Sequence, residues 1–356
     1  MKIIHCADLH LDSKIDTLQL DKTKLRREEI LHSFERLCDY AKNNNVDAII
    51  VAGDMFDTNK ISLKSKRRIF HAISSISNVK FFYLSGNHDS YNIMNDEDCP
   101  KNVFTFTDNW TKFNLNGINV IGANPQGEDY SKLIDTLILD EKETNIVVMH
   151  GQVANYKSNQ KGALISIPKL KNKGIDYLAL GHIHYYSCNQ LDERGVMVYS
   201  GCLDGRGFDE TGEKGFVLLD IQNGKIEHEF IAFSSRQYFV SEYVTCANST
   251  YLQEVDAIVC NLKEKYSSTG LVKLVLKGEH STDYIIDVEY LTNKLNEIFF
   301  YSKVIDETTL KISESDFQFD KTIRGEFVRE VLKSNLTEEE KNSIILCGIN
   351  SLKGEI

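Results

Sequence analysis

Asp47-Ala48-Ile49-Ile50-Val51-Ala52-Gly53-Asp54 is the stretch whose reading decides the fold. Five apolar residues in a row, without alternation, read as a strand covered on both faces. The run stops abruptly at a glycine followed by a carboxylate. Working outward, the same pattern recurs four times. Residues 2–7 end in Asp8-Leu9-His10, and residues 79–84 end in Ser85-Gly86-Asn87-His88-Asp89. Residues 145–149 end in His150-Gly151, and residues 176–180 end in Gly181-His182-Ile183-His184. Each strand therefore delivers an Asp, Asn or His at its end, where α/β sheets gather ligand groups.

Between the first two runs, Leu25, Ile30, Leu31, Phe34, Leu37, Cys38 and Ala41 keep helical spacing over 22–44. Leu63, Ile69, Phe70, Ile73 and Ile76 do so over 62–76. A β-α-β-α-β start favours parallel pairing. Further strands at 103–106, 118–121, 196–199, 216–220 and 225–230 then imply an α/β (α+β) class with two packed sheets and outer helices. The tail carries none of the strand-end motifs. It reads as strand 238–244, helix 251–265, strand 271–276, helix 284–298 and strand 299–305. Two helices follow, at 322–335 and 338–352, the second opened by the capping-box pair Thr337 and Glu340. The expected division is 1–235 as the main domain, 236–320 as a small α/β unit and 321–356 as terminal helices.

No segment approaches 18 consecutive apolar residues, so no membrane span is expected. The start, Met1-Lys2-Ile3-Ile4-His5, lacks the apolar stretch of a signal peptide. Eight cysteines, at 6, 38, 99, 188, 202, 246, 260 and 347, form no CxxC pair. They read as reduced thiols, and a cytoplasmic location is expected. The net charge of −11 argues against an extended nucleic-acid surface. From residue 241 onward there are 20 acidic and 13 basic side chains. Most of the acidity therefore lies outside the first 240 residues, and two bound divalent cations would bring that region close to neutral.

Asp8, His10, Asp54, Asn87, His150, His182 and His184 offer carboxylate, imidazole and amide donors, a set suited to Mn²⁺, Fe²⁺ or Zn²⁺. Seven groups suffice for two metals if one carboxylate bridges them, and Asp54 after Gly53 is the bridging candidate. Two metals about 3.5–4 Å apart clamp a phosphoryl group and provide a nucleophile near neutral pH. Asp8 and His10, like His182 and His184, are two apart, so in extended backbone they would point the same way. His88 would point away from Asn87 and serve as proton donor to the leaving oxygen, with Asp89 orienting its imidazole. Any one of these short motifs is common by chance. All five in order, each behind a strand-like run, are not.

Asp8-x-His10, Gly53-Asp54, Gly86-Asn87-His88-Asp89, His150 and Gly181-His182-x-His184 resemble the signature blocks of the calcineurin-like metallophosphoesterase superfamily. The opening Asp8-Leu9-His10-Leu11-Asp12-Ser13 and the later Gly212-Glu213-Lys214-Gly215-Phe216 resemble the SbcD-type DNA repair exonucleases and their YhaO-like branch. The likeness covers about residues 1–235. It implies a four-layer αββα sandwich of two mixed sheets with a small capping domain that touches DNA. It also implies one metal held by Asp8, His10, Asp54 and His184, a second by Asp54, Asn87, His150 and His182, and His88 with Asp89 as the catalytic pair. Mn²⁺ is the usual metal of that group. A coiled-coil ATPase of the SbcC type and a homodimer are its usual partners. Where relatives often carry Pro-Gly-Ser, this chain has Ser200-Gly201-Cys202-Leu203-Asp204-Gly205-Arg206.

Three functions are consistent with these residues: a Mn²⁺-dependent DNA exo/endonuclease of end processing and repair, a small-molecule or cyclic-nucleotide phosphodiesterase, and a non-catalytic scaffold. The complete ligand set disfavours the scaffold. Arg206 is a candidate for holding a substrate phosphate. Lys64-Ser65-Lys66-Arg67-Arg68 is either a contact for DNA phosphates or a solvated helix face. Cys202 is either a neighbour of the metals or a buried structural thiol. His5, His32, His71, His228 and His280 read as core or surface residues.

Overall fold

The computed structural model describes residues 1–15, 18, 20–57, 61–89, 93–124, 130–153, 163–245, 251–280, 284, 286–311 and 317–353. It divides into two compact units, Met1–Gln237 and Tyr238–Ile356.

The first unit holds two six-stranded mixed sheets. In one, β1 (Lys2–Cys6), β2 (Ala48–Ala52), β3 (Lys80–Leu84) and β4 (Val103–Thr105) run parallel, extended antiparallel beyond β1 by β13 (Gly215–Gln222) and β14 (Lys225–Ala232). In the other, β6 (Ile118–Gly122), β7 (Thr144–His150), β10 (Tyr177–Gly181) and β12 (Val196–Tyr199) run parallel, with β5 (Thr111–Leu115) and β11 (Ser187–Gln190) as antiparallel edges. A short parallel pair, β8 (Gln152–Val153) and β9 (Leu164–Ile165), follows β7. The alternation of side chains along each strand builds the layers. Ile3, Ile50 and Phe82 of the first sheet meet Val120, Val148 and Ala179 of the second in one core. The opposite face of the first sheet, with Ile4, Ile49 and Phe81, packs on α1 (Leu20–Asn43) and α2 (Leu63–Ser75). That of the second, with Val147, Leu178 and Leu180, packs on Ile134 of α3 (Ser131–Asp135) and Leu170 of α4 (Ile167–Leu170). The result is an αββα sandwich. It explains why the motif strands are apolar on both sides.

Helix α2 begins where Ser62 accepts a bond from the Ser65 N–H, a side-chain N-cap. Two positions expected on apolar faces are exposed, Leu25 and Leu63. One charged residue on α1 is wholly buried: Arg26 pairs with Asp204 at 2.6 Å.

In the second unit, β15 (Tyr238–Val244), β16 (Leu271–Lys277) and β18 (Tyr301–Asp306) form a parallel sheet with α5 (Tyr251–Lys265) and α6 (Val288–Asn296) as crossovers. The short strands β17 (Glu279–His280) and β19 (Thr309–Leu310) pair beside it. Helix α6 starts four residues later than the apolar pattern implied. The Asp287 side chain caps it by accepting the Tyr290 N–H, which fixes the start at a residue with non-helical backbone. Helices α7 (Ile323–Leu332) and α8 (Glu338–Lys353) pack on each other through Val328, Ile345 and Ile349. The capping box is formed: Thr337 N–H donates to Glu340, and Glu340 N–H to the Thr337 hydroxyl. Among the described residues no helix is long and apolar enough to cross a membrane. The cysteines at 6, 38, 99, 188, 202, 260 and 347 are free thiols; Cys246 lies outside the described residues.

Candidate active site

The side chains singled out by sequence converge beyond the C-terminal ends of β1, β2, β3, β7 and β10. The backbone there is unlike the extended geometry expected for Asp8-x-His10. Asp8, His10 and Asp54 have φ of 50°, 45° and 50°, and His182 has 99°. Non-glycine residues rarely adopt this left-handed region, and such strain concentrates at functional sites. Hydrogen bonds hold it: Asp8 N–H donates to Gly53 O and His10 N–H to Asp54 O, each at 3.0 Å. Convergence of Asp8 and His10 thus comes from two left-handed residues, not from strand alternation. Gly53 is required by space. A Cβ there would sit 2.1 Å from His150 Nδ1, and its φ is 95°.

Three groups of ligand atoms result. Asp8, His10 and His184 form the first, Asp54, His150 and His182 the second, and His10, Asp57 and His88 a third, with ligand atoms in each lying within 4.8 Å of one another. Hydrogen-bond partners fix the imidazole tautomers. His10 Nδ1 lies 3.2 Å from Asp57 and His184 Nδ1 lies 2.7 Å from Glu210. A carboxylate only accepts, so both Nδ1 atoms carry hydrogen and the neutral rings present Nε2 lone pairs. Those two Nε2 atoms face each other at 3.3 Å. Facing lone pairs repel unless a proton or a metal ion lies against them. The same holds in the second group. His150 Nδ1–H donates to Ala52 O at 2.9 Å, while its Nε2 faces Asn87 Oδ1 at 3.0 Å and Asp54 Oδ2 at 3.3 Å. His182 Nδ1 lies 3.1 Å from the same Asn87 oxygen, and its Nε2 is buried without a partner. Carboxylate–histidine and carbonyl–histidine pairs of this kind orient metal ligands. The donor set therefore fits two divalent ions.

The electrostatics agree. Burial works to raise the Asp54 pKa, but the charge of His150 and its contact with the carboxylate hold it well below the usual carboxylate range. Burial opposes a charge on His150, yet Asp54 and Asp8 lift it to about 9. Burial and the His150 charge lower His182 to about 4.

Two functional residues were missed by the sequence reading, and one role is corrected. The partner of His88 is Asp57, whose Oδ1 lies 2.8 Å from His88 Nδ1. Asp89 is turned away instead. Its carboxylate accepts backbone N–H groups of Met55, Phe56 and Gly86. Burial and the Asp54 charge push it up to about 7. Asp89 thus fixes the turn that presents Asn87 and His88, and adjacency in sequence misassigned the pair. Glu210, behind His184, is the second missed residue. A carboxylate three residues after Asp54 was the available signal for Asp57; Glu210 lies in a segment with no motif of its own.

Arg206 directs its terminal nitrogens at Glu210 (3.1 Å) and Asp57 (3.5 Å), so its fork is turned to carboxylates and not left open for a bidentate phosphate contact. Cys202 is buried, with Sγ 3.4 Å from His184 O, and burial holds its thiol protonated. On α2, Lys64, Lys66 and Arg68 pair with Glu28, with Asp96 and Asp98, and with Glu28 and Glu35, which is the pattern of a solvated face. His5 is buried against the Tyr177 hydroxyl at 3.0 Å, a core residue.

The model of the calcineurin-like phosphoesterases matches residues 1–186, more than half of the chain and all but the last strands of the sandwich. This chain belongs to the calcineurin-like phosphoesterase family. It is a metal-dependent phosphoester hydrolase. A relative, the uncharacterized metallophosphoesterase YhaO of Bacillus subtilis (strain 168), is 27% identical over 299 residues, covering 78% of this chain and 72% of the relative. Among solved structures, a dimetal phosphatase from Danio rerio aligns over 66% of this chain and 99% of its own, at 10% identity and a TM-score of 0.44. The protein TT1561 of Thermus thermophilus aligns over 64% of this chain and 98% of its own, at 15% identity and a TM-score of 0.42.

Proposed function

We propose that this phosphoesterase hydrolyses phosphodiester bonds of DNA with Mn²⁺ in both metal positions, in end processing and repair. One metal is assigned to Asp8, His10, Asp54 and His184, and the other to Asp54, Asn87, His150 and His182. The observation that carries the choice of a polymer substrate is the exposure of the candidate acid. The His88 side chain is 46% exposed, while Asp8, His10, Asp54, His150 and His182 beneath it are buried. An acid on an open shelf admits a passing backbone, whereas a small diester calls for enclosure. The likeness of residues 8–13 to SbcD-type nucleases supports the same reading. So does the donor set, which is hard to borderline. A coiled-coil ATPase partner and a homodimer belong to this proposal.

Two divalent ions at these groups would supply Lewis-acid stabilisation of the phosphoryl charge and a nucleophile at neutral pH. The chain's own part is proton delivery. With Nδ1–H tied to Asp57, His88 presents Nε2–H to the leaving 3′ oxygen. The hydrogen bond to Asp57 raises the His88 pKa, so the proton is held until charge develops on that oxygen.

Purified protein should cut linear DNA with Mn²⁺ and turn over a small chromogenic diester more slowly. His88→Asn should retain both metals while losing about 10²–10⁴-fold in turnover. The reverse substrate preference would favour a small-molecule phosphodiesterase, and undiminished turnover in His88→Asn would remove the acid from its role.

A further inference from the structure

We propose that Glu210 and Arg206 form a clamp that positions His184 toward its metal, an inference that rests on the ligand assignment above. The segment from Cys202 to Lys214 wraps the histidine from behind. Lys214 Nζ donates to the His184 carbonyl at 2.7 Å, and Cys202 Sγ lies against the same oxygen. These contacts fix the backbone and leave the ring free to rotate. Glu210 removes that freedom: its Oε1 accepts from His184 Nδ1 at 2.7 Å, leaving Nε2 as the ligand atom.

Glu210 is itself held on both oxygens. Oε2 accepts the Arg206 N–H at 2.7 Å, and Oε1 accepts from Arg206 Nη2 at 3.1 Å. The other end of the guanidinium reaches Asp57 Oδ2 at 3.5 Å, and Asp57 is the carboxylate behind His10. The rings of His10 and His184 face each other, so the carboxylates orienting them lie on opposite flanks of one site. A single guanidinium spans both and offsets their mutual repulsion. This needs a rigid fork with several donors, which a lysine ammonium lacks. Glu210 and Arg206 are positioning residues: they act on the metal through His184 and His10.

Calorimetric titration of Mn²⁺ into chelator-stripped full-length protein tests this without reference to turnover. Glu210→Ala should weaken one of the two sites by about 10–100-fold and leave the other unchanged. Glu210→Gln, which keeps an acceptor oxygen for Nδ1–H, should recover part of that loss. Arg206→Lys should weaken the same site. Glu213→Gln, an exposed acid in the same segment, should bind as the wild type does. Wild-type affinity at both sites in Glu210→Ala would overturn the clamp, as would equal weakening of both sites. If Glu210→Ala does not fold, the near-isosteric Glu210→Gln decides by the same criterion. A wild-type chain that takes up no Mn²⁺ would instead remove the metal assignment, and the clamp with it.

Discussion

At the scale of the residue, the site is governed by which groups stand behind each imidazole. Asp57 serves two rings, with Oδ1 3.2 Å from His10 Nδ1 and 2.8 Å from His88 Nδ1. Burial works against its charge, but the hydrogen bonds from those two histidines hold its pKa well below the usual carboxylate range. It is therefore ionised wherever the enzyme operates. In turn its hydrogen bond is the main reason that the His88 pKa is raised. The acid must be protonated to act, so activity falls as pH rises through that pKa. Asp57→Asn removes the charge and lets the His88 pKa drop toward its ordinary value of about 6.5. With Mn²⁺ kept saturating, because Asp57 also orients His10, the alkaline limb of the kcat profile should then move to lower pH. A limb that stays where it was in Asp57→Asn would detach Asp57 from the proton transfer. Adjacency pointed to Asp89 for this role because a linear sequence shows neighbours along the chain. The deciding contact, between the β2 and β3 termini, is made across two strands.

At the scale of the element, the strands were legible because each is covered on both faces. The run Ala48–Ala52 is buried at every position, and burial on two sides leaves no polar alternation to misread. Helix ends were less so: the apolar pattern ran through 284–298, whereas the Asp287 cap sets the start of α6. What hydrophobic pattern could not show is how the segment after β12 is anchored, since that anchoring is ionic. Arg26 on α1 is fully buried, donating to Asp204 at 2.6 Å and to the Gly205 carbonyl at 2.9 Å. Asp204 also accepts from the Ser33 hydroxyl and the Ser235 N–H. Removing one member of a buried pair costs about 3–5 kcal/mol when the other charge is left unpaired, and Glu29, 2.6 Å from Arg26, keeps the loss at the lower end of that range. Asp204→Ala should lower the stability of the first unit by about that amount in denaturant unfolding. A loss below about 1 kcal/mol would mean that water reaches Arg26 in the variant. Because Asp204 precedes Arg206 and Glu210 in the same segment, the variant should also weaken Mn²⁺ binding.

At the scale of the molecule, the metal groups bear on only one of the two units. Among the described residues, every cluster able to hold an ion lies between Asp8 and His184, within the unit Met1–Gln237. In the apoprotein the Nε2 atoms of His10 and His184 face each other at 3.3 Å, and Asp54 and Asp8 keep His150 positively charged up to about pH 9. Ions that bind the folded unit and not the unfolded chain stabilise it by mass action, about 2.7 kcal/mol at a concentration 100-fold above Kd. For a domain of 150–250 residues, each kcal/mol raises Tm by about 2–4 °C. Adding Mn²⁺ to chelator-stripped protein should therefore raise the transition of this unit by about 5–11 °C. The transition of Tyr238–Ile356 should not move, since its core of Val272, Leu274, Leu291 and Leu295 owes nothing to a metal. Calorimetric scans with and without Mn²⁺ resolve the two. If the whole chain melts in one transition that shifts together, the units unfold cooperatively. If nothing shifts, the strained loops at Asp8, His10 and Asp54 hold their geometry without ions, and the ligand assignment loses its thermodynamic support.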